Sequence, residues 1–373
     1  MGSQVFENQQ PLHVIVAGAG IGGFVASIGL RRHGHTVDIY EQSRLLQETG
    51  AAIHTAPNSY SQLKRLGLDG NDAVPFDLDT SNITPWMLIH RAQLHTGLKE
   101  LALSDQGAGN PVHLHTGSRI ASVGAETVTV HFENGTSTQG DVILGADGVH
   151  SLTRKAIAGD TLQPFDSGKS AFRMLVPRDV LLADPQTAGY NTMMNLAGIH
   201  PSELSPATNN EGSNWHFQAG KDNLLTFFDS FGPGAQLKLW RLLDMDKMDS
   251  FVKGRLAVLG DAAHPFLPYQ TQGGAQAVED AMYIAAVLPQ GTTPAEITER
   301  LELYNRCRYE RLHMVQLVTR LAGKGADHGR EHGVDMIDAI RELFLHDEWT
   351  NSSLALMTHL RAKRIAQMAQ TGK

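Results

Sequence analysis

The chain has 373 residues, 41% of them hydrophobic, and a formal net charge of −8. That length suggests about two domains at ~150 residues each, and the acidic balance argues against a nucleic-acid or anionic-membrane partner. No stretch approaches the ~20 apolar residues of a membrane span, and residues 1–10 lack the apolar core of a secretory signal, so neither is expected. Cys307 is the lone cysteine, which rules out an intramolecular disulfide or a Cys-based metal site and makes a reducing, cytoplasmic compartment the expectation.

Residues 12–17 form a short apolar run with β-branched members, the pattern of a buried parallel strand. Gly18, Gly20 and Gly23 follow at once in G-x-G-x-x-G spacing. Residues 21–32 then read as a helix ended by Gly34, and residues 36–40 as a second strand leading into Glu41, close to the roughly 20-residue spacing of a dinucleotide fingerprint. In such a unit Gly18 permits the tight turn and Gly20 lets the backbone approach a pyrophosphate. Gly23 allows close helix packing, and the helix N-terminus faces the phosphate charge. Glu41 can accept from a ribose diol and disfavours a 2′-phosphate there.

Short strands are expected over 112–115, 119–123 and 127–132, with Asn134-Gly135 as a hairpin turn. An apolar strand over 141–144 runs into Gly145-Ala146-Asp147-Gly148, and another over 256–259 runs into Gly260-Asp261. Both aspartates fall just past a strand's C-terminal end, where open α/β sheets bind ligands. Taken singly, each also fits an ordinary strand-ending turn. Residues 170–176 read as a strand carrying Arg173, and His216 lies between Trp215 and Phe217. Gly273 and Gly274 open a helix to Leu288, a long helix covers 294–325, and two more helices are expected from 326 onward. His113 and His115 alternate on a strand and are expected to face water. His328 and His332 share a helix face without a third ligand, so no metal is expected.

These motifs resemble the single-component FAD-dependent aromatic hydroxylases, the group of salicylate hydroxylase and p-hydroxybenzoate hydroxylase. The resemblance is carried by residues 18–23 with Glu41, 50–53, 90–94, 145–151, 172–173, 239–242 and 260–280. It implies an α/β fold: a Rossmann-like FAD-binding domain with an inserted mixed β-sheet substrate domain and C-terminal helices. We place the FAD domain at 11–165 and 251–325, the substrate sheet at 166–250 and the C-terminal helices at 326–373. The resemblance further implies that Gly18, Gly20 and Glu41 hold the ADP half of FAD, with Gly23 in the same fingerprint, and that Arg91 reaches ribityl or pyrophosphate oxygens. It implies that Asp147 helps to hold FAD, that Asp261 bonds the ribityl chain, and that Pro268 lies beside the flavin ring. Gly273 and Gly274 would bring a helix N-terminus to the reduced flavin's negative charge.

The implied reaction uses NADPH or NADH and O2 to hydroxylate a phenolic or aryl-carboxylate substrate through a flavin C4a-hydroperoxide. Arg173 is the candidate cation for a phenolate oxygen and His216 a second candidate; each also fits a structural side chain on a sheet. Epoxidation or oxidative dearomatisation on the same fold, and an FAD-binding protein without turnover, are the alternatives. The expected state is a monomer or homodimer without nucleic acid. Two departures from the family pattern stand out. Thr271 replaces a glycine, which would strain a β-branched residue if the site needs positive φ. The chain is also compressed near 69–84, 190–195, 231–236 and 324–335, where the resemblance implies further loop residues.

Overall fold

The computed structural model describes residues 10–44, 52–68, 74–75, 86–176, 182–183, 194–202, 218–219, 236–324 and 326–371. His216, and most of the compressed stretches 69–84, 190–195 and 231–236, lie outside the described residues. The side chain of Arg173 does as well.

A six-stranded sheet forms the centre. Its strands are β1 (His13–Ala17), β2 (Thr36–Glu41), β6 (His113–Thr116), β10 (Val142–Gly145), β15 (Val252–Lys253) and β16 (Leu256–Val258), in the order β15-β16-β10-β1-β2-β6. All neighbours pair in parallel except β15 with β16. The apolar runs read from the sequence become the buried interior strands, as expected where both faces are covered. Helix α1 (Ile21–Arg32) follows β1 with the bounds expected from the sequence. The parallel register aligns Ala17 with Gly145 and Gly145 with Val258, so the C-terminal ends of β1, β10 and β16 meet along one edge.

On one face of this sheet, α1 packs against α5 (Gln272–Val287) so closely that a Cβ on Gly29 would stand 2.6 Å from that of Ala285. Helix α6 (Ile297–Ala322) supplies buried Leu301, Tyr304 and Leu312 to the same core. Opposite lies a three-stranded antiparallel sheet of β7 (Ile120–Gly124), β8 (Thr129–Phe132) and β9 (Ser137–Gln139), whose Val130 and Phe132 join Ile15 and Ile143. Two smaller pieces lead to the cleft: β3 (Ala52–Thr55), β4 (Val74–Pro75) and β5 (Met87–His90) pair antiparallel, and α2 (Pro57–Arg65) and α3 (Arg91–Leu103) flank them. Helix α4 (Leu152–Ala158) follows β10.

Residues 165–244 carry a separate four-stranded sheet of β11 (Phe165–Val176), β12 (Met194–Pro201), β13 (Gln218–Ala219) and β14 (Gln236–Asp244). The sequence suggested a mixed sheet here; every described pairing in it is antiparallel.

Two further expectations are corrected. The C-terminal region holds three helices among its described residues, not two: α7 (Ala326–Glu331), α8 (Met336–Leu345) and α9 (Glu348–Thr371). His332 lies beyond the end of α7, so it does not share a helix face with His328. His113 and His115 are exposed, as expected; His115 Nε2 also lies 2.7 Å from Asp38 Oδ1 and its ring stacks on Tyr40, while His13 Nε2 takes the other Asp38 oxygen at 2.6 Å. Burial raises the Asp38 carboxyl, but the hydrogen bonds from His115 and His13 outweigh it and hold the group below its ordinary value.

Candidate active site

The edge where β1, β10 and β16 end opens into a cleft with two lobes. The first, of about 750 Å³, is lined by Gly18–Gly20, Glu41, Ser43, Arg119 and residues 146–150. The second, of about 490 Å³, is lined by Ile53, His54, residues 240–243, Pro268, Thr271, Gly273 and Gly274. Gly20, Arg91, Ala146, Gly148, Val149, Trp240 and Asp261 line both, so the lobes are continuous.

The glycine turn builds the first lobe. Gly18 has φ +103°, and a Cβ there would sit 2.4 Å from the Ala146 carbonyl oxygen, so no other residue fits. A Cβ on Gly20 would meet no protein atom within 4 Å, because that position faces the cleft. Here the backbone is bare where a phosphate group needs close approach, at the N-terminus of α1. Gly23 does not line the lobe. A Cβ there would strike the Gly18 carbonyl oxygen, so its place is to let the first turn of α1 close on the loop. The Glu41 carboxylate is held at the end of β2 by the Ala19 N–H at 2.9 Å and the Ser43 N–H at 2.7 Å. Each oxygen keeps lone-pair capacity for a diol.

Arg91 opens α3 directly after β5 and borders both lobes. The two strand-end aspartates differ. The Asp147 carboxylate turns away into the start of α4. It accepts from Ser151 Oγ at 2.6 Å, Thr153 Oγ1 at 2.5 Å, Leu152 N–H at 2.8 Å and Thr153 N–H at 3.0 Å. Asp261 is exposed and faces the cleft, lining both lobes. Desolvation raises its carboxyl above the ordinary value, offset in part by His264 and Arg91.

The loop bearing Asp261 is held from behind by groups that sequence reasoning missed. Asp280 accepts from the Gly260 N–H at 2.9 Å, lies 2.5 Å from His264 Nε2, and accepts from Arg308 Nε at 2.8 Å. Arg308, 1% exposed, also bonds Glu279, Glu348 and Gln276. Arg311 adds a bidentate pair to Glu279. Glu279, His346 and Glu348 converge closely enough for a metal ion, but these guanidinium groups already bond both carboxylates. Burial, opposed more strongly by Arg311 and Arg308, leaves Glu279 well below its ordinary pKa. Arg154, also unforeseen, donates to the carbonyls of Ala262 at 2.9 Å and Val149 at 2.7 Å, and so ties the β10 loop to the β16 loop. The signals available were the adjacent acids Glu279-Asp280 inside an otherwise apolar helix, and Arg308 on the core side of α6.

In the second lobe Pro268 is exposed on the wall and Gly273 faces open space at the start of α5. A Cβ on Gly274 would press to 2.9 Å from Ile53 Cδ1. The inserted sheet contributes Ala171, Ala197 and residues 240–243. Arg173 stands in register with Ala197 and Lys238, two positions beyond Ala171.

The donor set and the bare backbone of this cleft fit a dinucleotide with a flavin. A profile described as an FAD binding domain matches residues 235–321. The chain is 31% identical over 375 residues to hispidin-3-hydroxylase of Neonothopanus nambi, covering 83% of this chain and 87% of the relative. It belongs to the FAD-dependent, aromatic-hydroxylase-like monooxygenases. It is also 29% identical to 3-hydroxybenzoate 6-hydroxylase 1 of Aquipseudomonas alcaligenes, covering 85% of this chain and 90% of that one. A solved salicylate hydroxylase substrate complex shares the fold, with a TM-score of 0.71 at 24% identity over 93% of this chain and 98% of that one. This monooxygenase therefore uses FAD, with NAD(P)H as co-substrate. Among the described residues no helix is long and apolar enough to cross a membrane.

Proposed function

We propose that this monooxygenase hydroxylates a phenolic or aryl-carboxylate ring in the second lobe. The observation that carries the proposal is the continuity of the two lobes, with the inserted sheet walling the second one. A relative named for 3-hydroxybenzoate supports this substrate class.

The ADP half of FAD would lie in the first lobe. Gly18 and Gly20 admit its pyrophosphate to the N-terminus of α1, where the helix dipole favours negative charge. Glu41 would accept from the ribose diol, and Arg91, at the junction of the lobes, would reach the pyrophosphate or ribityl oxygens. Asp261 would bond the ribityl chain, and Pro268, Gly273 and Gly274 would border the ring. The carboxylate of Asp147 is committed to α4, so its part in holding FAD is to fix the backbone of residues 146–149 along the cleft. When bound, the reduced flavin supplies activation of O2 and oxygen transfer; the protein supplies position, a water-poor wall and electrostatics. Leu242 and Phe266 help to exclude water from the second lobe. Arg173, on the strand that carries Ala171, is assigned to orient and stabilise a phenolate oxygen. His216 is a second candidate for that task.

We further propose residues 11–165 and 251–325 as the FAD-binding unit, 166–250 as the substrate unit and 326–373 as a helical appendage. A cytoplasmic monomer or homodimer completes the reading. The test is a screen of phenolic acids with NADPH and with NADH, following pyridine-nucleotide oxidation and the hydroxylated product together. Product formation coupled to oxidation supports the proposal. An epoxide or a dearomatised product would replace the reaction class, and flavin binding without any nucleotide oxidation would refute turnover.

A further inference from the structure

Thr271 combines three properties found together at no other described residue. Its backbone is left-handed, with φ +54° and ψ +19°; Val128 is the only other described non-glycine residue with positive φ. A β-branched side chain in this region is strained, and such strain persists only where the surroundings enforce it. Thr271 occupies the N-cap position of α5, yet its hydroxyl does not cap the helix. Its Oγ1 is buried without a hydrogen-bond partner, although the residue lines the second lobe. A buried hydroxyl left unpaired is costly, so a partner from outside the chain is the economical explanation. Glycine would relieve the backbone strain but bring no hydroxyl.

We propose that the Thr271 hydroxyl is a positioning group for the cofactor, donating a hydrogen bond to an oxygen or nitrogen acceptor of bound FAD. Thr271 lines the lobe, and its buried hydroxyl has no hydrogen-bond partner among the described residues. This inference rests on the cleft holding FAD as proposed above.

The test uses the purified holoprotein without substrate, so that any effect belongs to the cofactor and not to the hydroxylated ring. Release of FAD on dilution is read from flavin fluorescence for wild type, T271S, T271V, T271A and T271G, with circular dichroism confirming the fold of each. T271V keeps the branch and loses the hydroxyl, so FAD binding should weaken by about five- to tenfold, the size of one net hydrogen bond. T271A should weaken similarly, and T271S should stay within about twofold of wild type. T271G separates the hydroxyl from the strain: it should also bind FAD more weakly, although its backbone is relaxed. If T271V and T271A hold FAD within about twofold of wild type, or T271G holds it more tightly, the proposal is overturned. Should wild type itself hold no FAD, the reading of the cleft fails first.

Discussion

The ends of β10 and β16 deliver chemically identical side chains to one cleft and use them in opposite ways. At β10, Asp147 secures its own loop by accepting four hydrogen bonds from residues 151–153. At β16, the Asp261 carboxylate shows no such bonds among the described residues. Its loop is secured from behind by Asp280, His264 and Arg308, and its carboxyl stays in the cleft with a raised pKa. A carboxylate that braces its own turn is spent, whereas one braced by others is free for a ligand. The contrast also places the cost of folding the two loops in different parts of the molecule.

The largest effect should come from removing the brace behind β16. Arg308→Met leaves Glu279, Asp280 and Glu348 buried without their common cation, and should lower stability by about 3–5 kcal/mol. Urea denaturation of the holoprotein measures it; a loss under about 1 kcal/mol would mean the network does not hold the loop.

Next in size, Asp261→Ala should weaken FAD by roughly 1.5–3 kcal/mol, the range for a hydrogen bond to a charged group. With FAD removed, it should leave the denaturation midpoint unchanged or raised, because a carboxyl with an elevated native pKa opposes folding at neutral pH. Asp147→Ala should show the reverse pattern: a stability loss of about 0.5–2 kcal/mol from the lost cap, with a smaller change in FAD affinity. Equal affinity losses in the two variants would erase the distinction between the strand ends.

A further effect concerns pH. His313 packs on Phe251 behind β16, and burial, then Lys247 and His264, push its imidazole down to about 4 from 6.5. Between those values the unfolded chain binds a proton that the native protein does not, so stability should rise with pH across this window. His313→Gln should flatten the difference between urea midpoints measured at the two ends of the window; an unchanged slope would assign it to other groups.

The β1-turn-α1-β2 unit was legible in the sequence because hydrophobic period, glycine spacing and Glu41 agree on one local structure. The strands ending at Asp147 and Asp261 were legible for the same reason, and so was the strain at Thr271, since a threonine at a glycine position announces the conflict. The different uses of the two aspartates were not, because they depend on where a carboxylate turns. Ser151 and Thr153 shortly after Asp147 were the local clue. The Arg308 network joins α5, α6 and α9, and no local pattern reports a partnership between elements so far apart in the chain. Whether Arg173 and His216 serve the substrate also lay beyond reach, because a sheet residue's role depends on which face meets the cleft.

The central claim is that this cleft holds FAD and that Asp261, not Asp147, touches it. The most direct measurement is the FAD content and flavin absorption spectrum of the wild-type, Asp261→Ala and Asp147→Ala proteins, purified side by side and then titrated with FAD. The account predicts a full flavin spectrum in wild type, a spectrum restored only at raised FAD concentration in Asp261→Ala, and near wild-type binding in folded Asp147→Ala. A wild-type protein that takes up no FAD, or an Asp261→Ala protein that holds it as tightly as wild type, would contradict the account.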